Sequence, residues 1–69
     1  MKPSARNRLT GTVAGIRRGE VIANVAVDVN GRRMVSSITV AAVDELGLSE
    51  DSAVTAVIKA SDVMLAVDV

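Results

Sequence analysis

The sequence predicts a small all-β domain with one short helix, and three observations carry that expectation. Residues 21–29 alternate with a period of two, Val21, Ala23, Val25, Val27 and Val29 against Ile22, Asn24, Ala26 and Asp28, the pattern of a strand with two unlike faces. Asn30-Gly31 follows at once, the pair best able to take positive φ in a two-residue hairpin turn, and Arg32 to Thr39 resumes with β-branched residues. Over Val40 to Leu46 the period changes, with Val40, Val43 and Leu46 recurring every three residues.

The remaining elements follow in order around that hairpin. Upstream, Leu9 to Ile16 alternates less strictly and holds Gly11 and Gly15, which in strands mark bulges or the sharp bends a barrel needs. Arg17-Arg18-Gly19-Glu20 reads as the exit turn of that strand. Downstream, Ala41 and Ala42 favour helix and Gly47 stands where a C-terminal cap belongs, so the helix has about two turns. Ser49-Glu50-Asp51-Ser52 is turn chemistry. Ala53 to Lys59 and Val63 to Val69 then alternate again around a polar bend at Ala60-Ser61-Asp62. Five strands with a short helix between the third and fourth is the element order of an OB-type Greek-key barrel, filling residues 1–69 as a single domain.

A chain of 69 residues hides only about 60% of the surface its unfolded form exposes, and a domain that small needs a disulfide, a metal or a partner. Neither Cys nor His is present, which removes disulfides and the usual zinc and copper ligand sets. Oligomerisation is the expected support. The same absence argues against an enzyme, because a Ser or Thr nucleophile would need Lys59 as its base. The carboxylates are scattered rather than paired, and neither Asp44-Glu45 nor Glu50-Asp51 has the spaced oxygen pattern of a calcium loop. No Phe, Tyr or Trp offers a stacking platform to single-stranded nucleic acid. Eight basic and eight acidic residues cancel, so no general field draws the chain to polyanions or membranes. No run approaches the ~18 apolar residues of a membrane span, and Met1-Lys2-Pro3-Ser4 leads into no apolar signal core. A soluble cytoplasmic protein is expected.

What stands out chemically is a concentration of hydrogen-bond donors near both ends of the chain. Ser4, Arg6, Asn7 and Arg8 precede the first strand, and Lys59 and Ser61 occupy the last bend. A tetrahedral oxyanion is satisfied by converging donors of this kind, backbone amides, hydroxyls, guanidinium and ammonium together. One Arg and one Lys would neutralise a dianion. By composition alone an ordinary tail and a solvated turn account for the same residues. Arg17, Arg18, Arg32 and Arg33 read as solvated charge on turns, and Met34 and Met64 as core or interface filling.

Ser4-Ala5-Arg6-Asn7-Arg8-Leu9-Thr10-Gly11-Thr12-Val13 at one end, Ser36-Ser37-Ile38-Thr39 and Glu45-Leu46-Gly47-Leu48 in the middle, and Thr55-Ala56-Val57-Ile58-Lys59-Ala60-Ser61-Asp62-Val63-Met64-Leu65-Ala66 at the other form a combination that resembles the molbindin (Mop) family. It also resembles the TOBE-type molybdate-binding domains attached to transcription regulators and transporter ATPases. The resemblance implies an OB-like barrel that exchanges strands in a dimer and assembles into a hexamer, a trimer of dimers, storing molybdate or tungstate at subunit interfaces. It further implies an oxyanion pocket made by the opening segment of one subunit and the lysine-bearing turn of another. That carries over here to Ser4, Ala5, Arg6, Asn7, Lys59, Ala60 and Ser61, with Thr39 as a further contact. A second class of site near a symmetry axis is not carried over to particular residues.

In such a pocket Arg6 supplies a directed pair of N–H donors and Lys59 a compact charge, Ser4, Ser61 and Thr39 supply hydroxyls, and Ala5 and Ala60 supply backbone amides. Molybdate and sulfate have the same shape and charge, so pocket size must separate them. Phosphate is partly protonated near neutral pH and needs an acceptor that an all-donor pocket lacks. Asn7 has an alternative role, satisfying its own backbone ahead of the strand. Two other readings compete with oxyanion storage: an assembly module whose donor loops serve only as contacts, and a nucleic-acid-binding domain. A pterin form of the ligand is disfavoured by the lack of an aromatic surface.

Overall fold

The computed structural model describes residues 3–68, so Met1 and Lys2 of the opening segment and Val69 of the expected last strand lie outside the described residues. Strands β1 (Asn7–Arg18), β2 (Ile22–Val29), β3 (Arg32–Thr39) and β4 (Ala53–Ile58) form one antiparallel sheet in the order β3-β2-β1-β4, with helix α1 (Val40–Leu46) after β3. The β2–β3 hairpin closes through Asn30 and Gly31 at φ 52° and 82°, and their positive φ is what the dipeptide was expected to supply. Arg17 and Arg18, expected in a turn, instead extend β1, while Arg32 and Arg33 open β3. The exposed Arg18 is paired with Asp44 at 3.1 Å.

β1 is long because it serves two partners. Its first half, Asn7 to Thr12, pairs with β4, and Thr12 to Arg18 pairs with β2. The changeover falls at an irregularity between Val13 and Gly15. There Val13 donates its N–H to the Ser52 carbonyl at 2.9 Å and accepts from the Asp51 N–H at 2.8 Å, so the turn before β4 is tied to the bend. The inner face carries Val13, Ala23, Val25 and Val27, and α1 lowers the fully buried Val43 onto them. Thr39 caps the helix by accepting the Ala42 N–H at 3.0 Å, and Gly47 ends it in the left-handed conformation at φ 64°.

The expected fifth strand does not form. Ala60–Asp62 makes a single 3-10 turn, and residues 63–68 follow it with no ladder partner among the described residues. Met64 and Leu65 are each 93% exposed. Alternation reports that a segment has two faces; it carries no information about whose edge the segment joins. The five-stranded closed barrel is therefore corrected to a four-stranded open sheet in this chain. Its opening is an apolar slot of about 310 Å³ between β3 and β4, walled by Val25, Val27, Met34, Ile38, Val54 and Ile58.

Candidate functional site

Antiparallel pairing of β1 with β4 sets Asn7 opposite Ile58, Arg8 opposite Val57 and Leu9 opposite Ala56. The ladder ends there, and Arg6 and Lys59 are the next residues outward on the two segments. The two donor segments, more than fifty positions apart in sequence, thus meet at one end of the sheet within a single chain. The resemblance implies a pocket that takes these segments from two different subunits; within each chain the β1–β4 ladder sets them at the same end of the sheet. Ser4, Arg6, Lys59, Ala60 and Ser61 are all exposed there, and Ala5 and Asn7 are half-buried.

The strand period sorts these side chains by face. Leu9, Gly11 and Val13 alternate with Arg8, Thr10 and Thr12, and Val13 marks the core side. Arg8 is therefore on the outer face, while Arg6, in a bend, and Lys59 lie just beyond the ends of β1 and β4. Asn7 shares the core side with Ile58 at the mouth of the apolar slot. Three cations consequently lie near one end of the sheet, and none of them is in an ion pair among the described residues. Like charges brought near one another repel, so an anion between them is favoured. Arg8, counted among the donors of the opening segment but not carried over to the pocket by the resemblance, lies two positions from Arg6.

Backbone donors complete the end of the sheet. Within the 3-10 turn the Asp62 N–H is used on the Lys59 carbonyl at 2.9 Å and the Val63 N–H on the Ala60 carbonyl at 3.2 Å. The N–H groups of Ala60 and Ser61 have no backbone partner outside regular elements among the described residues. Thr39 does not join this cluster in the chain. It pairs with Ile22, beside the Arg18 end of β1, and lies roughly 35 Å of strand from Asn7 at about 3.3 Å per residue. Its oxygen is already the cap of α1, although its hydroxyl hydrogen remains free to donate.

With that geometry in place, similarity to known proteins becomes informative. The family model described as TOBE domain matches residues 3–65. The chain belongs to the TOBE domain family. The TOBE chain is 45% identical over 69 residues to a probable molybdenum-pterin-binding protein of Haemophilus influenzae, covering 99% of this chain and 100% of that protein. It is 42% identical over 66 residues to molybdenum-pterin-binding protein 1 of Clostridium pasteurianum, covering 94% and 97%. Among solved structures, a molybdate binding protein from Sporomusa ovata superposes with a TM-score of 0.92 at 38% identity, over 96% of this chain and 98% of that one. The mostly-β fold with one helix is thus the fold of a molybdate binding protein. No helix among the described residues is long and apolar enough to cross a membrane.

Proposed function

We propose that this TOBE chain binds molybdate or tungstate as the free oxyanion at the donor end of the sheet and stores it inside a homo-oligomer. The observation that supports the reading is that the β1–β4 ladder, ending at Asn7 and Ile58, brings the segments bearing Arg6 and Lys59 to one end of the sheet, with neither cation in an ion pair among the described residues. They balance a dianion, the Ala60 and Ser61 amides and the Ser4 and Ser61 hydroxyls supply the remaining donors, and Ala5 and Ala60 leave room for a large ion. Relatives named for molybdenum-pterin or molybdate binding across nearly the whole chain support the choice of ion. A planar pterin would find no aromatic partner in this sequence, which favours the bare oxyanion.

The same reading makes the assembly part of the site. The slot between β3 and β4 is the place a fifth strand occupies when a sheet of this order closes into a barrel, and residues 63–69 of a second copy are the strand it receives. Exchange in both directions gives a dimer, and dimers combine into a hexamer that encloses the donor ends. In that setting Thr39 from a neighbouring subunit reaches a site that its own chain holds far away. Isothermal titration with molybdate, run on the wild type and on Arg6→Ala and Lys59→Ala, tests the site. Binding is expected to fall by about tenfold or more in each variant, the loss of one charge-assisted contact. Unchanged affinity in both, with assembly lost, would favour the alternative that the donor loops are only subunit contacts.

A further inference from the structure

The outer face of β1, β2 and β3 holds a second cavity that the oxyanion reading does not use. It has a volume of about 380 Å³ and is lined by Gly15, Arg17, Asn24, Ala26 and Arg33, with Ile16 and Val35 at its margin. Its floor is the cross-strand pair Gly15 and Ala26, where the absence of a large side chain leaves a depression. Ala26 is only 5% exposed although it points away from the core, because the surrounding side chains rise above it. Arg17 stands opposite Asn24 at one end of this floor, and Arg33 stands opposite Asp28 at the other.

Both guanidinium groups are without an ion pair among the described residues. Asp28, the carboxylate nearest Arg33 in the ladder, is turned to the hairpin, where it accepts the Gly31 N–H at 2.9 Å, and no carboxylate lines the cavity. Asn24 accepts the Ser37 hydroxyl with its carbonyl oxygen, which leaves its amide N–H groups as donors. The cavity therefore presents donors and positive charge, and no ionised acceptor. We propose that it is an anion site for a diphosphate-class ligand, gripped from opposite rims by Arg17 and Arg33.

Two features set that class. The strand positions of Arg17 and Arg33 are four residues apart along the ladder and two strands apart across it, about 16 Å between Cα atoms. Extended from opposite ends, the two side chains converge over the Gly15 and Ala26 floor and hold an anion between them. Each guanidinium matches two oxygens of a phosphoryl group, so two linked groups satisfy both residues at once. The cavity has no aromatic wall, so a base attached to the diphosphate adds little. The site is independent of the donor end of the sheet and uses none of its residues.

The test is calorimetric titration of the full-length protein at low ionic strength, without divalent metal and with molybdate saturating, using pyrophosphate, ADP and inorganic phosphate as probes. Pyrophosphate and ADP are expected to bind with similar affinity and about tenfold or more tighter than phosphate. Arg17→Gln and Arg33→Gln should each weaken pyrophosphate by about tenfold, with the circular dichroism spectrum and molybdate affinity unchanged. The proposal is overturned if pyrophosphate gives no binding, if phosphate binds as tightly, if ADP alone binds, or if neither arginine matters. A failure of the molybdate reading would appear separately, as molybdate binding that ignores Arg6 and Lys59.

Discussion

Gly11 illustrates how a motif residue can act through packing. A Cβ at this position would stand 2.3 Å from the Asp28 carbonyl oxygen and 3.0 Å from the Val29 side chain, so β1 and β2 must separate to admit it. Gly11→Ala is expected to destabilise the protein by about 1–3 kcal/mol, read as a lower urea midpoint at fixed protein concentration. An unchanged midpoint would mean the strands are less closely apposed than described. Thr39 has a similar double character. Sequence reasoning found it as a hydroxyl contact, and the structure gives its oxygen to the Ala42 N–H. Thr39→Val keeps the shape and removes the cap, for an expected loss of about 1 kcal/mol, whereas Thr39→Ser should be nearly neutral. Of the opening motif, Gly11 packs closely against β2 and Val13 is buried in the core, so part of what makes it recognisable is architecture. The exposed Arg6 and Arg8 are the part that the proposed anion site draws on.

At the scale of elements, legibility follows from where the physical signal is local. The Asn30-Gly31 turn, the third strand and the helix with its Gly47 cap were expected at the bounds they occupy, because turn φ, helical period and capping depend on adjacent residues. β1 was less legible: its alternation breaks where it changes partner, and its continuation through Arg17 and Arg18 is driven by pairing with Asn24 and Ala23, which no local pattern records. The final segment was misread for the same reason, since its apolar alternation is real but it has no ladder partner among the described residues. Val43 measures how much the helix matters. It is 0% exposed against the sheet, and Val43→Ala is expected to cost about 2 kcal/mol in urea or thermal unfolding, with the cavity left under α1 as the cause. A loss below a few tenths would mean that the helix rides on the sheet without closing it.

The whole molecule carries more surface than a self-sufficient monomer. Its accessible area is 5658 Å², against about 4,100 Å² for a compact monomer of 7.1 kDa. Its radius of gyration is 13.0 Å, where about 11 Å is typical for this length. The most exposed large apolar side chains are in the tail, Met64, Leu65 and Val67. Leu65→Asp combined with Val67→Asp is expected to convert an oligomer into monomer or unfolded chain in sedimentation equilibrium; an unaltered assembly would remove the strand-exchange proposal. The candidate site was legible as two donor segments, while their meeting at one end of the sheet is a consequence of the β1–β4 register and emerged only with the fold. The central claim is that this assembly retains molybdate through those segments. Its most direct test is equilibrium dialysis of the purified protein against molybdate with excess sulfate, with molybdenum read by mass spectrometry and protein by peptide-bond absorbance, since no Trp or Tyr absorbs. The account predicts molybdenum retained in fixed proportion to protein despite the sulfate. Molybdenum at the level of the surrounding buffer would contradict it.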